Sequence, residues 1–189
     1  MSADYLDGLL ASRPAGVEVP SVFIETGTFH GKTAATAAAM FDLVHTIELS
    51  KVLHQEAVGK FADRPEIHCH QGDSAVVLPE LLRNTPAPAV IYLDAHWFHR
   101  QAGQPEIPQE RPFPLWAELA AIADRPHADW VIVDDAGLFG RTEHAWPIDP
   151  RWRTVTVARI LDVLGRGRLA GHALYGDCLV VWRTVSGAA

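Results

Sequence analysis

Cysteine is scarce in this sequence: Cys69 and Cys178 are the two among 189 residues. Neither belongs to a closely spaced pair, which excludes a disulfide scaffold and a cysteine-built structural zinc site; two reduced, buried thiols are expected. Long apolar runs are missing as well. No stretch approaches the ~18–20 uncharged residues that would span a bilayer, and residues 1–20 mix Asp4, Asp7, Arg13 and Glu18 with short apolar pieces, unlike a secretory leader. A cytoplasmic protein with no membrane partner is the expectation. Basic charge is outweighed, 16 Lys and Arg against 23 Asp and Glu for a formal net charge of −7, which argues against a nucleic-acid partner held on a broad basic face.

What the chain does have is globular in proportion, 48% hydrophobic and 21% charged residues, in a length that suits one domain. A short N-terminal segment, 1–20, is expected to precede a domain over 21–185. Short runs rich in β-branched residues read as strands: Val22 to Ile24, Val44 to Ile47, Ile67 to Cys69, Ala89 to Leu93 and Trp130 to Val133. Between them, Lys32 to Phe41, Ser50 to Phe61, Ser74 to Leu82 and Pro114 to Ala123 have helical character, and a further helix is expected over Val157 to Leu164. Alternation of this kind predicts an α/β fold with a parallel sheet covered on both faces. Near the C-terminus, His172 to Tyr175 and Cys178 to Trp182 flank Gly176-Asp177, a hairpin signal. Two long connections, 97–112 and 136–149, follow strands four and five and should hang over the carboxyl edge, where open α/β sheets bind ligands.

Strand one runs into Glu25-Thr26-Gly27-Thr28-Phe29-His30-Gly31. The glycines let backbone approach a ligand as the chain turns into a helix, but their spacing is neither the dinucleotide fingerprint nor a P-loop. Glu48 ends strand two, close to the ~20-residue offset at which an acid meets a ribose in such folds; alternatively it is a solvated cap. Gln71-Gly72-Asp73-Ser74 closes strand three, where Asp73 either reaches an adenine edge or caps the next helix.

In order and spacing, these motifs with Tyr92-Leu93-Asp94 resemble those of class I S-adenosylmethionine (SAM)-dependent methyltransferases over residues 20–184. The resemblance implies a Rossmann-like, mainly parallel seven-stranded sheet ending in an antiparallel hairpin. It also implies SAM as cofactor, with the methionine part over Gly27 and Gly31, the ribose on Glu48 and the adenine near Asp73; Glu25, Thr28, Ser74 and Asp94 complete the expected contacts.

Asp94 and Asp134-Asp135 end neighbouring strands, so three carboxylates should meet, and a hard cation would relieve their repulsion. Leu93-Asp94-Ala95-His96-Trp97 with Val133-Asp134-Asp135 resembles metal-dependent small-molecule O-methyltransferases of the catechol and macrolide-sugar types. That implies Asp94, Asp134 and Asp135 as ligands of a divalent cation, Mg²⁺ by preference, with Asp94 and His96 catalytic. Ala95 between the acid and His-Trp, and Phe98-His99 in place of a basic residue, depart from the catechol pattern. The other reading of the acids is cofactor contact or helix capping.

The expected activity is methyl transfer from SAM to a hydroxyl of a small molecule. A SAM-binding module without turnover is the second reading, and an NAD-dependent oxidoreductase, disfavoured by the glycine spacing and the hairpin, is the third. The two long loops carry Trp97, His99, Arg100, Arg111, Arg141, His144, Trp146 and Trp152, which suit a sugar, an aromatic or an anionic acceptor alike. Self-association, as a homo-oligomer, stays open.

Overall fold

The structure, a computed structural model, describes residues 1–95, 113–144 and 148–185. Seven strands, β1 (Val22–Thr26), β2 (Leu43–Glu48), β3 (Ile67–Gln71), β4 (Ala89–Leu93), β5 (Trp130–Val133), β6 (Leu169–Tyr175) and β7 (Cys178–Arg183), form one sheet in the order β3-β2-β1-β4-β5-β7-β6. The first five are mutually parallel; β7 runs antiparallel to both β5 and β6. The β6–β7 turn is closed by Gly176, whose positive φ of 56° fits a tight hairpin.

Alternation along the strands divides the core in two. Ile24, Ile47, Ile91, Val131 and Val181 face α4 (Ser74–Arg83), α5 (Leu115–Ala123) and α6 (Val157–Leu164), which present Leu78, Leu119 and Ile160. Phe23, Val44, Val90, Ile132 and Val180 face α1 (Ala3–Ala11), α2 (Lys32–Ala37) and α3 (Lys51–Lys60), which present Leu6, Ala34 and Ala57. Helix α1 lies within the N-terminal segment, yet Leu6 and Leu9 are fully buried. Ser2 caps it by accepting from the Tyr5 amide at 3.3 Å. Of the expected thiols, Cys178 is buried and Cys69 partly so.

Several expected helices are shorter at their ends; Lys32 to Phe41 contracts to Lys32–Ala37. Trp152, read from sequence as an acceptor-loop residue, is instead core. It is 1% exposed, with its ring centroid 5.2 Å from that of Phe113 and 5.9 Å from that of Phe139. The connection expected to be structureless over 136–149 begins with a short 3-10 turn, Ala136–Leu138, and leads into another at Pro150–Thr154. No helix among the described residues is long and apolar enough to cross a membrane.

Candidate active site

The strand order reverses between β1 and β4, and the crevice outside their carboxyl ends is where such sheets take ligands. Gly27 shapes it. Its φ is +89°, and a Cβ there would lie 2.4 Å from the Asp94 carbonyl oxygen, so the loop after β1 passes β4 at a distance that only glycine permits. Gly31, at φ +63°, precedes α2, and a Cβ would lie 2.8 Å from the Phe61 ring. The intervening loop is pinned by the Gly31 amide, which donates to the Thr28 carbonyl at 2.7 Å.

Glu25, Thr46 and Glu48 point to the same sheet face as Tyr92 and Asp94. Glu25 is 1% exposed and accepts from the Thr46 hydroxyl at 2.7 Å; the Thr28 and Thr46 hydroxyls are themselves bonded at 2.6 Å. Burial pushes the Glu25 carboxyl up to about 8, against the pull of the Thr46 and Thr33 hydroxyls. Glu48 holds the loop and the next helix together: Oε2 accepts from the Phe29 amide and Oε1 from the Ser50 amide, both at 2.8 Å. Each oxygen retains acceptor capacity beyond these bonds. Asp73 caps α4 by accepting from the Ala75 amide at 2.9 Å. Ser74, the first residue of α4, is buried.

The predicted carboxylate cluster forms. Asp94 is pushed well above the usual carboxylate range, by burial first and then by Asp134, Asp135 and Glu25. Asp135, in the left-handed region at φ 56°, is pushed up to about 6 by burial and by Asp134 and Asp177. Asp134 is already engaged, with Tyr92 donating its hydroxyl to Oδ2 at 2.5 Å and the Cys178 thiol facing Oδ1 at 3.2 Å. Among the described residues, no three His, Cys, Asp or Glu side chains converge to hold a metal ion. The expected triad is thus close in space, but no metal site is shown there. His96 lies outside the described residues, as does the whole of the 97–112 connection.

Sequence reasoning missed Tyr92 and Glu118. The period of two already placed Tyr92 beside Asp94 on one face, and that signal was available. Glu118, on α5, is 0% exposed near Thr26 and Ser74. Their hydroxyls temper its pKa, yet neither Glu118 oxygen completes a hydrogen bond, and burial pushes it up to about 7.

No protein-family profile matches the chain, and no curated protein matches it in sequence. Solved structures match it in fold. A putative methyltransferase from Streptococcus mutans in complex with SAH aligns at TM-score 0.59 and 9% identity, covering 96% of this chain and 94% of that one. The SAH-bound methyltransferase PaMTH1 from Podospora anserina aligns at 0.57 and 16%, covering 87% and 72%. An O-methyltransferase from Bacillus cereus in complex with SAH aligns at 0.55 and 16%, covering 96% and 89%. With its strand order, its reversed β7 and these neighbours, the chain has the class I methyltransferase fold.

Proposed function

We propose that this protein binds SAM in the β1–β4 crevice and transfers its methyl group to a hydroxyl of a small molecule. The observation that carries the reading is the set of buried carboxylates, Glu25 and Asp94, with raised pKa values beside the close-passing Gly27. Burial makes these carboxylates costly to ionise, and for Glu25 the nearby Met1 ammonium offsets that only in part. SAM fits this setting because its ammonium and sulfonium bring positive charge to a crevice that has an excess of acid, and it supplies the methyl group. Gly27 leaves room for the ligand's approach, Glu25 and Asp94 orient the cationic end, and Glu48 offers its remaining lone pairs to ribose hydroxyls.

The acceptor side is read from the same cluster. A carboxyl held near neutrality, as Asp135 is, suits removal of a proton from an acceptor hydroxyl, and Tyr92 fixes Asp134 beside it. His96 retains its place as an alternative base from the sequence. Sugars, aromatics and anionic compounds remain the acceptor classes. For a divalent cation to sit on Asp134, that carboxylate would first have to leave Tyr92 and Cys178.

The test is titration calorimetry with SAH, followed by turnover with labelled SAM against a hydroxyl-compound panel. Binding of SAH that is lost in Glu25→Gln with Glu48→Ala supports the site. No SAH binding removes the reading, whereas binding without turnover across the panel favours the non-catalytic module. Turnover is expected to survive exhaustive chelation; activity lost on chelation and restored by Mg²⁺ would return Asp94, Asp134 and Asp135 to the metal role.

A further inference from the structure

Strand β6 is outermost on the side of the sheet away from β3 and is paired to β7 alone. Its sequence, Leu169-Ala170-Gly171-His172-Ala173-Leu174-Tyr175, holds no Lys, Arg, Asp, Glu or Pro, the residues that commonly keep an edge strand from pairing with another chain. The side chains alternate. Ala173 and Tyr175 pack on the side of α1, where the Tyr5 hydroxyl donates to the Tyr175 carbonyl at 2.6 Å and the two rings meet edge to face. Ala170, His172 and Leu174 point the other way and are exposed, Leu174 at 64%.

The two-residue turn Gly176-Asp177 fixes which backbone groups of β6 are already spent. Tyr175 and Cys178 close it as a bonded pair, so Tyr175 and Ala173 turn their N–H and C=O towards β7, whereas His172 and Leu174 turn theirs to the open side. Those outward groups form no hydrogen bond among the described residues. A register shift between Leu169 and Gly171 bends the start of the strand, which leaves 171–175 as its regular stretch.

We propose that β6 pairs antiparallel with β6 of a second copy of this chain, about a two-fold axis through Ala173, so that the sheets of both copies become continuous. The free groups set this centre: His172 and Leu174 of one copy exchange bonds with Leu174 and His172 of the other. Ala173 then faces its own counterpart in the close, non-bonded position, with ~4.5 Å between Cα atoms, where a small side chain fits. Gly171 lies opposite Tyr175, small against large. Charge favours the same partner. The basic Arg166–Arg168 turn precedes the strand and the exposed Asp177 follows it, so reversing the strand direction brings the acid of each copy to the basic end of the other. Arg166 also meets Asp162, and Asp177 accepts from the Gly137 amide through one oxygen, which leaves its second oxygen for this contact. The two β1–β4 crevices open at opposite edges of the joined sheet, and the pairing is independent of the methyltransferase reading.

The experiment is sedimentation of the full chain over a wide range of concentration. A monomer–dimer equilibrium is expected. Leu174→Lys puts a charge on the pairing edge at an exposed position and should weaken association at least about tenfold, with the melting temperature of the dilute monomer unchanged. Ala173→Cys should form a disulfide between the two copies of residue 173 under mild oxidation, mapped by mass spectrometry, because the expected spacing falls within the ~4.4–6.8 Å that a disulfide spans. Wild type that stays monomeric into the millimolar range, a dimer that Leu174→Lys leaves as tight, or a dimer in which Ala173→Cys does not crosslink would overturn the proposal.

Discussion

Glu118 shows what a single buried acid does to stability. Its carboxyl sits at about 7 in the folded protein against an ordinary 4.5. The folded state therefore binds a proton more readily than the unfolded chain, and the favourable contribution is complete below pH 4.5 and lost as pH rises through 7. The shift corresponds to about 3 kcal/mol. Glu118→Gln, which keeps the shape and removes the titration, should be stabilising relative to wild type at pH 8 and close to neutral at pH 4. Chemical denaturation at the two pH values measures it, and a difference that does not change with pH would refute the assignment. At Gly27 the constraint is steric instead. Gly27→Ala meets both a φ of +89° and the Asp94 carbonyl at 2.4 Å, so SAH affinity is expected to fall at least tenfold, about 1.4 kcal/mol, with a lower melting temperature. Unchanged calorimetric affinity in the variant would show that the loop does not need this approach.

The chain's elements were legible to different degrees, for physical reasons. Strands β4 and β5 match their predicted limits, Ala89 to Leu93 and Trp130 to Val133, because strands buried on both faces read as continuous apolar runs. Strand β3 was cut short at Cys69, since His70 and Gln71 are polar residues at a partly exposed edge. Helix α1 is not among the expected helices although Leu6, Leu9 and Leu10 have helical spacing, because its nine residues hold Gly8 and fewer than three turns of that pattern. Of the site, the β1 loop and the meeting of Asp94 with Asp134 followed from strand ends. The capture of Asp134 by Tyr92 and Cys178 did not, since it joins three strands through side-chain orientation. At the opposite, amino-terminal edge, Asp129 is the knot: it accepts from Arg125 Nε at 2.9 Å, from Arg183 Nη1 at 3.3 Å and from the Ala89 amide at 3.0 Å. Asp129→Ala leaves two buried guanidinium groups without their acid and should cost about 3–5 kcal/mol. A denaturation midpoint within error of wild type would contradict that.

For the molecule as a whole, charge and ligand are linked. In a chain of formal net charge −7, Glu25, Asp94, Asp134 and Asp135 meet at the carboxyl edge, with Glu48 on one side and Asp177 on the other. Burial raises Glu25 to about 8 and, with repulsion from neighbouring acids, raises Asp94 well above the usual carboxylate range and Asp135 to about 6. The Thr46 hydroxyl, the Met1 ammonium and the Thr33 hydroxyl favour the charged form of Glu25 but do not outweigh its burial. A ligand bearing positive charge reverses the balance, because opposite charge nearby favours ionisation. Binding must then expel protons. The sign follows from linkage: the bound state holds fewer protons than the free state, so affinity rises with pH up to about 8, where free Glu25 is itself losing its proton. The limiting slope is about tenfold per pH unit for each proton released. Calorimetry of SAM binding at pH 7 in buffers of different ionisation enthalpy should therefore give different apparent heats, with proton release to the buffer. In Glu25→Gln that release should shrink. Heats independent of buffer in the wild-type protein would mean that these carboxylates do not meet the cationic end of the ligand, and would move its position away from the β1–β4 crevice.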